Sequence, residues 1–331
     1  MVKMWIKALR VIPQINKDEW NHLDIFSRWL IASRGAVFVM TAIAAAIGGL
    51  LAYRFGNFSL SIFICALVGL VLAHATNNML NDYVDSSKGI DKDNYYRAMY
   101  GPHPLEHGLL SKKQFLAYIL ITGILALLTG VYITFKVGPS TLWFLGLGIF
   151  FLLFYTWPLK YFGLGELSVV FVWGPLMVGG TYFVVSNGHW NNWVAIISLV
   201  YALGPTTVLL GKHADKLKED KAKNVKTLPV IIGEKASRYT VIALFIIQYA
   251  FILLLVIKYH FGFALLLVFL SVPKFIETTK IFLQPRPEKE PENSKPTGWP
   301  LYLVAHAFNF NRRFGLLFLL GLIIELVIYK L

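Results

Sequence analysis

The sequence predicts an all-α, polytopic membrane protein, and three observations carry that prediction. Charged residues make up only 15 % of the chain against 56 % hydrophobic, and the mean hydropathy is +0.60, too little charge to coat a water-soluble domain of this size. Apolar runs recur at the length that a membrane helix needs, roughly 17–25 residues. Lysine and arginine crowd into alternate connections between those runs, the pattern of a chain threaded back and forth across a bilayer. A net charge of +13 points to nucleic acid in a soluble protein, and this distribution excludes that partner here.

Nine spans are expected, near 35–54, 60–81, 114–135, 140–157, 165–186, 192–211, 238–258, 261–283 and 313–330. Ahead of them, Met1 to Arg28 is mixed and polar, with Trp5 and Trp20 and no small-residue cleavage site. It reads as a retained segment whose first residues form an amphipathic helix at the membrane surface. The first span is filled with small residues (Ala42, Ala44, Ala45, Ala46, Gly48, Gly49) that let neighbouring helices approach closely. The second span ends in the polar stretch treated below, and a long connection, Ser86 to Lys113, follows it; a loop of that length is functional more often than not. Spans three and four form a hairpin turning at Gly138-Pro139, and the fourth leaves through Tyr155-Thr156-Trp157-Pro158-Leu159-Lys160. The fifth continues through Gly174-Pro175, and the sixth carries Gly204-Pro205, which should bend or break it. Gln284 to Pro300 is rich in Pro, Glu and Lys and reads as a solvated connection. The lone Cys65 excludes an intrachain disulfide and a thiolate metal cluster.

The whole chain, 1–331, thus reads as one membrane domain. It comprises a cytoplasmic segment 1–33, two pseudo-repeat halves of about 34–160 and 161–283, a cytoplasmic loop 284–312 and a ninth helix 313–330. With the N-terminus inside, 27 lysines and arginines fall on the inner side and only Arg54, Lys136, Lys258 and Lys330 outside. That asymmetry orients the chain with its N-terminus in the cytoplasm and its C-terminus outside.

Two polar clusters lie at inner helix ends. The first is Asn78, Asn81, Asp82 and Asp85, followed by Asp91; spacings of three, four and seven put the first four on one helical face. Carboxylates at a membrane boundary are costly unless they face a polar cavity or carry a ligand. An asparagine with several carboxylates is a hard oxygen set suited to Mg²⁺ shared with phosphate oxygens. The second cluster is His213, Asp215, Lys216 and Asp220, of which His213, Lys216 and Asp220 share a face while Asp215 points away. Asn81, Asp85, Asp91 and Asp220 are the candidate metal ligands, and Arg34, Lys160, Lys223 and Lys226 the candidate cations for a diphosphate. Neutralising a diphosphate makes it a leaving group. If its tail is an allylic isoprenoid, departure leaves a carbocation that aromatic faces stabilise and a dry cavity protects.

In this order the motifs resemble a known family. Asn81-Asp82-x-x-Asp85 with Asp91, then His103-Pro104-x-x-x-Gly108, Tyr155-x-x-Pro158, Gly163-Leu164-Gly165-Glu166, Asp220 and Lys226-Thr227-Leu228 look like the UbiA-type intramembrane prenyltransferase superfamily. The six-residue step from Asp85 to Asp91 and the Gly174-Pro175-Leu176 run look most like the branch that prenylates 1,4-dihydroxy-2-naphthoate for menaquinone. The resemblance implies nine helices around a central cavity, a cytoplasmic cap, two Mg²⁺ ions, a polyprenyl diphosphate donor and an aromatic acceptor. It implies catalytic roles for Asp85, Asp91, Asp220, His213, Lys216 and Asp215. Substrate contacts are implied for Asn78, Asn81, Asp82, Arg34, Arg97, His103, Tyr155, Lys160, Lys223 and Lys226. The chain departs from the family where the second motif carries Lys216 in place of an aspartate and His213 where asparagine is common in the naphthoate branch. Three readings follow: transfer to an aromatic quinone precursor, transfer to another lipid acceptor or cyclisation of the cation, and cation-coupled transport. Transport needs acids near the midplane, whereas these acids are expected at helix ends.

Overall fold

In the computed structural model, residues 1–55, 57–90, 101–291 and 299–330 are described. The chain begins with three short helices, α1 (Val2–Arg10), α2 (Lys17–Asn21) and α3 (Ile25–Ala32). Their ends are well capped. Asn16 and Glu19 form a reciprocal capping box at the start of α2, and Asp24 accepts from the Phe26 and Ser27 amides at 3.1 and 3.0 Å at the start of α3. The Ser27 hydroxyl, above all, holds the Asp24 carboxyl down to about 2. Trp5 Nε1 donates to the same carboxylate at 3.1 Å, which ties α1 to α3. The first residues form a helix as expected, with Ala8 buried while Val2, Ile6 and Leu9 stay exposed along one side.

The long elements follow as α4 (Phe38–Arg54), α5 (Leu60–Ser87), α6 (Lys112–Val137), α7 (Leu142–Phe154), α8 (Gly165–Val185) and α9 (Asn192–Asp215). Then come short α10 (Leu217–Ala222) and α11 (Leu228–Ile232), α12 (Glu234–Lys258), α13 (Val272–Leu283) and α14 (Tyr302–Lys330). Six helices among the described residues are long and apolar enough to cross a membrane: Gly35–Arg54, α5, α6, α8, α9 and α12. Nine were expected. The region of the fourth span is a shorter helix, Pro139–Phe154. The eighth divides into a 3₁₀ stretch, Phe263–Ser271, and α13, with Pro273 in the first turn of α13. The last helix begins at Tyr302 rather than at 313, because His306, Asn309, Asn311, Arg312 and Arg313 sit inside it and dilute the apolar signal. Asn311 is not a surface anchor there: it is buried and donates to Thr207 Oγ1 at 2.7 Å.

Proline acts differently in the two helices that carry it. α8 passes through a π-helical stretch, Val172–Gly179, around Pro175, an interruption typical of functional sites. α9 runs as one helix through Gly204-Pro205, so of the expected bend or break the break is not made. The Thr206 and Thr207 hydroxyls donate to the Ala202 and Gly204 carbonyls at 2.9 and 2.8 Å, feeding backbone acceptors beside the missing proline N–H. α9 is also the most enclosed span, packed on α8, α12 and α14. Glycine permits that packing: a Cβ at Gly211 would lie 3.0 Å from the Val304 backbone of α14. α5 and α6 pack on each other at the periphery, leaving space between them and α8 and α9.

Candidate functional site

That space is a cavity of about 1070 Å³. Most of its wall is apolar, with Leu70, Leu127, Phe144, Phe151, Trp173 and Met177. Its charged side chains come from four segments that meet at one end of the bundle: Arg34 before α4, Asp85 at the end of α5, Lys160 after α7, and Lys212, Lys216 and Asp220 at the α9–α10 junction.

The helical period of α5 sorts its polar residues. Asn78, Asn81 and Asp85 face the cavity, whereas Asp82, one step round, is buried against the guanidinium of Arg34. Arg34 reaches it from a left-handed backbone position, φ 59°, that ends α3 and starts α4. Asn78 Nδ2 donates to the Ser33 carbonyl at 2.9 Å. Lys160 Nζ donates to both oxygens of Asp85, at 2.9 and 2.7 Å. Asn81 Nδ2 bridges Asp85 and Thr156 Oγ1 at 3.3 and 3.2 Å. A buried lysine is costly unless paired in this way, so the loop after α7 is held on the end of α5 by charge.

The second cluster divides as its period requires. His213, Lys216 and Asp220 line the cavity together with Lys212. Lys216 Nζ lies 3.3 Å from Asp220 Oδ1, across the break where α9 ends at Asp215 and α10 begins at Leu217. His213 Nδ1 is 2.6 Å from Glu166 Oε1 on α8. Asp215 turns the other way. It accepts from the Leu303 and Val304 amides, both at 3.0 Å, and from Arg286 Nε at 2.9 Å. It therefore caps α14 and is absent from the cavity wall, a structural position for a residue expected among the catalytic ones.

Other candidates also lie outside the cavity wall. His103 is buried, with Nδ1 facing the amides of Leu105 and Glu106 at 3.2 and 3.4 Å. Lys223 Nζ donates to the Ile90 carbonyl at 2.6 Å, and Lys226 is exposed. Tyr155 does line the cavity. Asp91 and Arg97 lie outside the described residues.

The donor set suits a divalent cation shared with a ligand better than one held by protein alone. No three His, Cys, Asp or Glu side chains converge among the described residues. Magnesium, however, is commonly held through one or two carboxylates with phosphate and water completing its shell. Asp220 Oδ2 is buried without a hydrogen-bond partner among the described residues. An unsatisfied carboxylate oxygen is expensive, and a bound cation would relieve it.

Residues 39–304 match the UbiA prenyltransferase family. The chain belongs to that family. This UbiA prenyltransferase is 28 % identical over 286 residues to the 1,4-dihydroxy-2-naphthoate octaprenyltransferase of Bacillus subtilis, covering 84 % of this chain and 86 % of the relative. It is 26 % identical to a UbiA prenyltransferase domain-containing protein 1 homolog of Drosophila melanogaster, covering 77 % and 71 %. In fold it resembles the solved structure of a digeranylgeranylglyceryl phosphate synthase, with TM-score 0.59, 20 % identity and coverage of 92 % and 98 %. It also resembles a UbiA homolog from Archaeoglobus fulgidus bound to GPP and Mg²⁺, with TM-score 0.53, 15 % identity and coverage of 89 % and 98 %. As a UbiA prenyltransferase it is an integral membrane enzyme.

Three cavity residues of this prenyltransferase received no site role from the sequence, although His74 and Asn77 belong to the same polar stretch of α5: Asn77, whose Nδ2 donates to the Leu152 carbonyl at 3.2 Å, Lys212, and His74, held by Thr41 at 2.7 Å. The available signal was the same face rule, since His74, Asn77, Asn78, Asn81 and Asp85 recur every three to four residues. Lys212 passed as topological charge at a helix end.

Proposed function

We propose that this enzyme transfers a polyprenyl group from an isoprenyl diphosphate to a hydroxylated aromatic quinone precursor of the 1,4-dihydroxy-2-naphthoate kind, in a Mg²⁺-dependent reaction on the cytoplasmic side of the membrane. The single observation that carries this reading is the polarity of the cavity, with two carboxylates and four cations at one end and apolar and aromatic walls beyond. A long isoprenyl diphosphate has that same division. The kinship with the Bacillus enzyme supports the aromatic acceptor, and the archaeal homolog with GPP and Mg²⁺ supports the metal.

In this reading the diphosphate lies between the ends of α5 and α9, where Arg34, Lys160, Lys212 and Lys216 offset its charge. Asn81, Asp85 and Asp220, with Asp91 expected to join them, would hold two Mg²⁺ ions. Bound metal supplies Lewis-acid withdrawal of charge from the leaving oxygens. The tail runs along the apolar wall, and Trp173, Phe144 and Phe151 offer aromatic faces to the allylic cation. Exclusion of water protects that cation from hydrolysis.

The test is to incubate purified protein with Mg²⁺ and geranylgeranyl diphosphate, with and without 1,4-dihydroxy-2-naphthoate, and to identify products by mass. A prenylated naphthalene ring is expected. A cyclised hydrocarbon formed without acceptor would assign the cavity to cyclisation instead. The sidedness is tested separately: an impermeant thiol reagent added outside should label a cysteine placed at Asn187 or His260, but not one at Ser111.

A further inference from the structure

We propose that His213, oriented by Glu166, is the proton acceptor for the incoming aromatic ring, an assignment that rests on the transferase reading above. His213 on the last turn of α9 and Glu166 on the first turn of α8 are 4 % and 2 % exposed, and they meet at 2.6 Å through Nδ1 and Oε1. A carboxylate can only accept a hydrogen bond. The contact therefore keeps the proton on Nδ1 and the lone pair on Nε2. Nε2 has no hydrogen-bond partner among the described residues, and His213 lines the cavity together with Lys212, Lys216 and Asp220. An imidazole held through Nδ1 by a buried carboxylate, with Nε2 open to a reactant, is the arrangement of a general base.

The other bases on the wall are less suited to the task. Both oxygens of Asp85 are bonded to Lys160, and Asp220 pairs with Lys216 through Oδ1 while its unpartnered Oδ2 is assigned to the metal. His74 has a threonine rather than a carboxylate behind its Nδ1, and it lies three turns up α5 from Asp85, roughly 16 Å away.

The chemistry balances with groups already named. The donor C–O bond breaks and its electron pair leaves on the diphosphate. The acceptor hydroxyl gives its proton to Nε2, its O–H pair moves into the ring, and a ring carbon bonds to the allylic carbon. Tautomerisation of the resulting ketone restores the aromatic ring. The proton taken up at Nε2 then passes to the departing diphosphate and leaves with it.

His213→Asn separates a base from a mere tie between helices: asparagine, common here in the branch the chain resembles, can place an amide nitrogen where Nδ1 sits and still donate to Glu166, but it lacks Nε2, and this chain has Lys216 where that branch keeps an aspartate. Transfer kcat to 1,4-dihydroxy-2-naphthoate is expected to fall about a hundredfold or more, with the Kd for geranylgeranyl diphosphate and Mg²⁺ changed less than about threefold. Glu166→Gln should lower kcat in the same direction by a smaller factor. Should His213→Asn misfold in detergent, His213→Gln is measured in its place with the same expectation. Near wild-type kcat in His213→Asn overturns the assignment, as does a loss of donor affinity that accounts for the whole defect. Absence of transfer by the wild-type enzyme itself would instead sink the acceptor reading, and this proposal with it.

Discussion

At the closed end of the bundle Arg54 Nη1 lies 2.6 Å from Glu325 Oε1, and at the cavity end Lys160 Nζ lies 2.7 Å from Asp85 Oδ2. Both are buried ion pairs joining segments distant in sequence, yet their surroundings differ. The Arg54 guanidinium is 4.5 Å from the Phe261 ring centre and 5.2 Å from that of Phe55, and the Gly262 amide donates to Glu325. That pair ties α4 to α14 and is absent from the wall of the cavity described above. The cavity-end pair opens onto the cavity, beside an asparagine and two more lysines; a carboxylate oxygen without a hydrogen-bond partner among the described residues occurs at both ends, Asp220 Oδ2 and Glu325 Oε2, but only Asp220 lines that cavity. Buried charge alone is therefore a poor guide to function; bonding capacity left facing a cavity is a better one.

The comparison can be broken most directly at the cavity end. Asp85→Asn and Asp220→Asn keep side-chain volume but remove the charge that metal and lysines need, and each should lower turnover by about a thousandfold or more, as loss of Lewis-acid catalysis would. Asp85→Asn also leaves the buried Lys160 without its counter-charge and should lower the unfolding temperature, whereas Asp220→Asn should move it less. Near wild-type rates with Mg²⁺ would refute the metal assignment. At the other end a stability loss of the same kind should come without the catalytic one. Glu325→Gln leaves Arg54 without its counter-charge and should cost about 3–5 kcal/mol of stability, with turnover per folded molecule retained. Equal effects of the two kinds of substitution on activity would remove the distinction.

Asp215 and Asp220 restate the same contrast within five residues. Asp215→Asn weakens a cap on two α14 amides and the Arg286 contact, and should cost roughly 1–3 kcal/mol as a lower unfolding temperature. Its effect on turnover should be smaller than that of Asp220→Asn. A larger catalytic loss at Asp215 would mean that the α9 register is wrong.

Much of this was legible in local pattern, and the remainder depended on partners far away in sequence. The 3.6-residue period was enough to put Asn78, Asn81 and Asp85 on one face and to turn Asp215 away from His213, Lys216 and Asp220. The same period could not tell that Asp82 would be taken up by Arg34, 48 residues earlier, or that Lys160 would cross 75 residues to Asp85. Nothing local marks His213, 47 residues later, as the partner of Glu166. The start of α14 was hidden for the opposite reason: Asn311 is polar yet buried, satisfied by Thr207 across the packed α9 face. Hydropathy counts such a residue as solvent-facing.

The smallest expected effect belongs to Lys216, where the chain departs from its family's second motif. Its ammonium reaches Asp220 across the helix break and its side chain is 13 % exposed, so it is neither a solvated surface lysine nor a sealed one. If its charge served only Asp220, Lys216→Met would cost under about 1 kcal/mol and leave the kinetics alone. Placed on the cavity wall beside Lys212, it can also offset a diphosphate oxygen or an acceptor carboxylate as a point charge. Lys216→Met should therefore raise the KM for donor or acceptor several-fold, with kcat falling less and expression unchanged. Comparing two acceptors, with and without a ring carboxylate, assigns the contact. A KM rise confined to the carboxylated acceptor puts the ammonium on that group, and a rise shared by both puts it on the diphosphate. Unchanged KM values for donor and acceptors would return Lys216 to the same class as Arg54, a charge whose work ends at its partner.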